Sequence, residues 1–192
     1  ISTGIRNTIM GSLAGDALTT GGYNVAIGYV ALGTEDTGGR SVAIGYAALG
    51  LQNYPGDAYN IAIGYSSGSQ ISTGVNNVII GGQAGDAITT GADNLAIGRQ
   101  ALSAKTTGGG DVAIGHQALQ DADGGDAFNV AVGYRAGRNV TTGIRNILIG
   151  ASAGDTLTSG IDNIAIGYQA LATEDTHGKN VAVGYQALEN QN

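Results

Sequence analysis

An all-β parallel solenoid is the fold this sequence predicts, and three observations carry the prediction. First, the segment Asn24-Val25-Ala26-Ile27-Gly28 recurs with small changes eleven times in 192 residues. Second, the glycines that close it (Gly11, Gly28, Gly45, Gly64, Gly81, Gly98, Gly115, Gly133, Gly150, Gly167 and Gly184) stand 17 residues apart, except for one step of 19 after Gly45 and one of 18 after Gly115. A fixed step means one structural unit stacked on itself, and this step is too short for a helix pair or a propeller blade but suits one rung of a β-solenoid. Third, the 35 glycines follow the rung and not the every-third pattern of collagen, and there is one proline.

The recurrent segment is the strand. Side chains alternate across it, so Val25 and Ile27 share one face while Asn24, Ala26 and Gly28 share the other. Past Asn24 both faces are apolar or small, which is the pattern of a strand covered on both sides. The branched residues are expected to fill the solenoid's own interior: Val25, Ile27, Ile44, Ile63, Ile80, Ile97, Ile114, Val132, Ile149, Ile166 and Val183. The small middle residues, Ala26, Ala43, Ala62, Ala96, Ala113, Ala131, Ala165 and Ala182, are then expected to face copies of the chain packed closely about a common axis.

After the strand comes an exchange of large side chains. Four residues past the closing glycine stands Leu32, Leu49, Leu102, Leu119, Leu171 or Leu188 in some rungs, and Gly15, Gly68, Gly85, Gly137 or Gly154 in the others. The glycine rungs place an aliphatic residue three positions later (Leu18, Ile71, Ile88, Val140 or Leu157), where the leucine rungs carry Glu35, Gln52, Lys105, Ala122 or Glu174. One large plug per rung from either of two places predicts a shared, dry core to which Leu32, Ile71 and Ile88 contribute, each stabilising by about 1.5–3 kcal/mol. Before most strands lies a turn such as Thr19-Thr20-Gly21-Gly22-Tyr23-Asn24. Glycine permits the corner, and stacked asparagines from Asn7 to Asn180 are expected to form an amide ladder along the rod.

A longer period overlies the rung. GSLAGDALTTG at 11–21 returns as GGQAGDAITTG at 81–91 and GASAGDTLTSG at 150–160, offsets of 70 and 69, so four rungs make one higher unit. Residues 1–192 read as a single array, an excerpt of a longer one, without a polar closing unit at either end.

Composition narrows the role. With 12% charged residues and a net charge of -7, the eight Lys and Arg are scattered from Arg6 to Lys179, which argues against a nucleic-acid footprint. No apolar run approaches membrane-spanning length. Cysteine is absent, which removes disulfides and thiolate metal sites.

GYQALATEDTHGKNVAVGYQAL at 167–188, with its variants along the chain, resembles the repeats of long bacteriophage tail-fibre proteins. The Asn-Val-Ala-Ile-Gly element is also similar to the head repeats of trimeric autotransporter adhesins, which are left-handed parallel β-rolls of three chains about one axis. The resemblance implies a homotrimeric rod, joined to neighbouring fibre segments and located on the virion, that holds a receptor-binding tip away from the particle; other regions of the fibre would meet any cell-surface glycan. The alternative it implies is the stalk or head of a bacterial surface adhesin.

No constellation for chemistry stands out. The Gly-Asp pairs at Asp16, Asp57, Asp86, Asp126 and Asp155 lack the Gly-Gly-x-Gly-x-Asp tandem of calcium β-rolls and read as capped turns. Tyr29, Tyr46, Tyr65, Tyr134, Tyr168 and Tyr185 follow closing glycines, a row that could face sugars but reads better as corner packing. Paired threonines such as Thr19-Thr20 are interrupted, as an ice-binding array would not be. His116 and His177 are isolated. The expectation is a structural protein with no catalytic residue, no metal and no cofactor.

Overall fold

The computed structural model describes residues 3–173 and 176–190; Glu174 lies outside them. It is a parallel β-solenoid. Eleven three-residue strands run as β1 (Thr8–Met10), β2 (Val25–Ile27), β3 (Val42–Ile44), β4 (Ile61–Ile63), β5 (Val78–Ile80), β6 (Leu95–Ile97), β7 (Val112–Ile114), β8 (Val130–Val132), β9 (Ile147–Ile149), β10 (Ile164–Ile166) and β11 (Val181–Val183). They form one sheet in chain order, every neighbouring pair parallel, and the middle residue always faces a middle residue: Ile9 to Ala26, Ala26 to Ala43, Ala43 to Ala62. At about 4.8 Å per strand the rod is about 50 Å long.

The faces of the strand are the reverse of those the sequence suggested. Ala26, Ala43, Ala62, Ala96, Ala113, Ala131 and Ala165 have no exposed surface in a single chain and Ala182 almost none, so they line the interior and do not form an oligomer interface. Val25, Ile27, Ile44, Ile63, Ile80, Ile97, Ile114 and Val132 are half-buried on the outer face, where Ile149, Ile166 and Val183 are exposed. The reason is space. A 17-residue rung encloses a thin interior already occupied by plugs from the opposite corner, and only a small residue fits under them. Where the corner residue is glycine, the strand can supply bulk instead. Building a Cβ on Gly15 would bring it 3.0 Å from Ile9 Cδ1, on Gly85 3.1 Å from Ile79 Cδ1, and on Gly154 2.7 Å from Leu148 Cδ2. Ile79 and Leu148 are fully buried.

The exchange of plugs is present as expected. Leu32, Leu49, Leu102, Leu119 and Leu171 are fully buried, as are Ile71, Ile88, Val140 and Leu157, with Leu18 1% exposed; Leu188, in the rung of β11, is 42% exposed and plugs nothing. The dry core is not. Glu35, Gln52 and Lys105, at the alternative plug position, are also fully buried and point inward. Gln52 Nε2 donates to Glu35 Oε2 (3.0 Å) and to Ser41 Oγ (2.9 Å), and Gly38 N–H donates to Glu35 Oε1 (2.8 Å). One higher unit further on, the ammonium of Lys105 donates to Asp111 Oδ2 (2.8 Å) and to the carbonyls of Gly124 (3.3 Å) and Gly125 (2.6 Å). Each buried charge is thus enclosed by hydrogen-bond partners, the condition for tolerating it.

The amide ladder runs along the strand entrance. Asn146 Oδ1 accepts the Asn163 backbone N–H (3.0 Å), while Asn146 Nδ2 donates to Gly160 O (2.9 Å) and to Asn129 Oδ1 (3.1 Å). The same geometry holds at Asn77 and Asn94, while Asn60 Nδ2 donates to Gly74 O (2.7 Å) and to Gln52 Oε1 (2.8 Å) in place of a ladder oxygen. Ser41 and Asp111 stand in the ladder at two rungs, and Asp111 still accepts the Asn129 N–H (2.8 Å). Asn146→Ala removes an acceptor from one buried rung and a donor from another, so a loss of about 2–3 kcal/mol is expected in denaturant melts.

Three left-handed corners shape each rung, and most of them fall on residues other than glycine. The residue before the ladder position (Tyr23, Tyr59, Asp93, Phe128), the second after the closing glycine (Val30, Ala47, Gln100) and the buried leucine (Leu32, Leu102) all have φ between 47° and 62°. The closing glycines are different: their φ of 129–140° is open to glycine alone.

Candidate interface and surface ladders

Two parallel files of branched side chains cover the outer face of the sheet. Val112 and Ile114 in β7, for example, flank the buried Ala113. The pattern repeats from β2 to β11 without a charged or polar residue in any strand. The two files make a contiguous apolar strip along ten rungs, half-buried from β2 to β8 and more exposed from β9 to β11. The signal was legible in the sequence, since a large middle residue (Ile9, Ile79, Leu148) occurs only where the corner residue six places on is glycine, which marks both as interior.

Beside this face runs the tyrosine file. Tyr29, Tyr46 and Tyr65 stack with centroids 5.4 and 5.1 Å apart, His116 stacks on Tyr134 at 5.4 Å, and Tyr168 on Tyr185 at 5.5 Å. Stacking covers both faces of Tyr46 but only one face of the ring at each end of a stack, because Gly82 and Ala151 interrupt the file. Arg99 Nη1 lies 3.2 Å from His116 Nε2 in the same file.

A third file precedes the ladder. Arg6 donates to the Tyr23 hydroxyl, the Arg40 guanidinium sits 4.7 Å above the Tyr23 ring and 5.9 Å from that of Tyr59, and Arg40 Nε meets Asp57 Oδ2 at 2.7 Å. Further along, Asn76 Nδ2 donates to Asp93 Oδ1 (3.1 Å), and Arg145 pairs with Asp162 at 2.6 Å, holding that carboxyl below the ordinary range.

The Gly-Asp carboxylates do not converge. Asp57 binds Arg40, Asp155 lies between Arg135 (3.7 Å) and Arg138 (3.2 Å), and Asp126 Oδ1 accepts the Gly109 N–H (2.9 Å). Among the described residues no three His, Cys, Asp or Glu gather as metal ligands would, and no helix is long and apolar enough to cross a membrane. Threonine hydroxyls bond along the rod, as Thr89 Oγ1 does to Thr106 O (2.9 Å) and Thr141 Oγ1 to Thr158 O (3.1 Å). Comparisons with protein-family models, with curated proteins and with solved structures found no match.

Proposed function

We propose that this chain is a shaft segment of a bacteriophage tail fibre. Three copies associate about the fibre axis through the outer strand face, join neighbouring segments end to end, and hold a receptor-binding tip away from the virion. The role is structural, with no catalysis and no cofactor. The observation that carries the reading is the outer face itself, two unbroken apolar files along a rod whose rungs each bury their own small core. A surface so long and so apolar has the character of an obligate interface. Threefold closure of identical chains about one axis covers it on every copy.

Sedimentation or native mass spectrometry is expected to find three chains per particle, and a stable soluble monomer at micromolar concentration overturns the proposal. Two substitutions in β7 separate the faces. Ala113→Leu overfills the interior and is expected to lose about 1–3 kcal/mol in melting of the rod. Ile114→Glu leaves the interior untouched and is expected to release monomers. The opposite outcome restores the alanine interface. The same physics serves a bacterial adhesin, for which the Asn-Val-Ala-Ile-Gly strands speak equally. A chaperone domain downstream in the parent gene favours the fibre, and a membrane-anchor barrel the adhesin.

A further inference from the structure

The third surface file has a missing member, and the chain itself supplies the template for what belongs there. Aligning successive higher units places Gly110 where Arg40 stands (offset 70), Asp126 where Asp57 stands and Phe128 where Tyr59 stands (both offset 69); the third unit has Lys179 at the position of Arg40. In the first unit the Arg40 guanidinium is held by the Asp57 carboxylate and by the two flanking rings. In the second unit the carboxylate and one ring remain, the other ring is replaced by the carboxylate of Asp93, and the cation is gone. A surface cavity of about 380 Å³ lies at this point, lined by Asp93, Asp126, Phe128 and the backbone of Gly108, Gly109 and Gly110.

The details of the cavity suit a guanidinium. Asp126 Oδ1 is fixed by the Gly109 N–H (2.9 Å), whereas in the first unit the Gly39 N–H goes to the Gly56 carbonyl and Asp57 is held by Arg40. Phe128 leans over Gly110, where an added Cβ would come 2.5 Å from its Cδ1, and with 59% of its surface exposed it still offers ring surface against which a planar cation stacks. Asp93, tethered by Asn76, adds a second negative charge on the opposite wall. The nearest cations are engaged elsewhere: Lys105 is buried against Asp111, and Arg145 binds Asp162. The floor admits no side chain, since a Cβ on Gly108 would collide with the backbone of Gly125 and one on Gly109 with that of Ala92.

We infer that the cavity at Asp93, Gly110, Asp126 and Phe128 is a receptor for an arginine side chain presented by another polypeptide, which completes the cation-aromatic file that Arg40 completes within the chain. This inference is independent of the fibre reading, because it rests on the repeat alone. A planar, delocalised guanidinium matches carboxylate and ring together, as a lysine ammonium does not.

The test is an NMR titration of the whole chain, following the amide resonances of Gly109 and Gly110, with three probes: N-acetyl-arginine methylamide, its lysine analogue, and a short peptide with one central arginine. Both arginine probes are expected to shift these resonances saturably in the millimolar range, with the lysine probe several-fold weaker. Asp126→Asn and Phe128→Leu are each expected to weaken binding roughly tenfold. Because Asp126 also supports its own corner, Arg40→Gly is the complementary variant: emptying the first-unit site is expected to create a second responsive site at Gly39. Four results would each overturn the inference: no saturable shift, equal response to lysine, binding of the small probe but not of the peptide, or a saturable response to calcium in place of arginine. Failure of Arg40→Gly to create a second site would overturn the use of the first unit as template.

Discussion

Lys105→Met is expected to destabilise the rod by about 3–5 kcal/mol in denaturant melts, although it replaces a charge with an apolar side chain of similar length. The loss comes from the partner left behind. Asp111 has no exposed side-chain surface, and burial already pushes its carboxyl above the ordinary range against the pull of Lys105 and of the Asn129 N–H. Without the ammonium, the folded-state pKa of Asp111 lies further above its unfolded value. Its stabilising contribution is then complete below the unfolded pKa and is lost as pH rises through the folded one, so the deficit of the variant is expected to grow from acid toward neutral pH. The double variant Lys105→Met, Asp111→Asn is expected to return to within about 1 kcal/mol of the parent or to exceed it. Asparagine at 111 restores the ladder residue used at Asn94 and Asn129, and its amide can reach the Gly125 carbonyl that Lys105 covers. If the single and double variants melt alike, the buried pair is not what stabilises that rung.

Gly81→Ala is expected to cost about 3 kcal/mol or more, with its neighbour Gly82→Ala as the control at under about 0.5 kcal/mol. Gly81 has φ +132°, and a Cβ there would lie 2.6 Å from the Gly98 carbonyl oxygen of the next rung, a contact with backbone that no rotamer relieves. At Gly82 an added Cβ meets nothing within 4 Å. Circular dichroism melts of the two variants check this, and similar melting of both would remove the close backbone approach as the reason for a glycine at every rung.

Fold class, strand positions, the asparagine ladder and the alternation of plugs were all legible in the sequence, because each follows from a period and from residue types with one strong preference. The orientation of the strand was not. Alternation separates Val25 and Ile27 from Ala26 but does not say which set faces inward, and hydrophobicity alone favours the wrong answer. The pairs Ile9 with Gly15, Ile79 with Gly85 and Leu148 with Gly154 hold the missing information, since bulk at one position compensates for its absence at the other only if both share the interior. The left-handed corners at Tyr23, Val30 or Leu32 carry no such sign, because propensity assigns that conformation to glycine and asparagine. The inward course of Glu35 and Lys105 was hidden for a similar reason: charge normally marks a solvated turn, and all their partners but Gly38 lie 6 to 20 residues away in sequence.

The buried polar plugs also govern how such a rod can change length over evolutionary time. Glu35 reaches Gln52 and the Tyr54 N–H in the following rung, and Lys105 reaches the Gly124 and Gly125 carbonyls, in the two rungs whose steps are lengthened to 19 and 18 residues. Each charged plug and the lengthened corner beyond it are therefore inherited together. Unequal recombination between single 17-residue rungs would join a lysine to a corner without its carbonyls, or a glutamate to one without its glutamine. Exchange between whole higher units leaves every charge with its partners, so alleles of the parent gene are expected to differ by multiples of about 70 codons, each multiple lengthening the rod by about 19 Å.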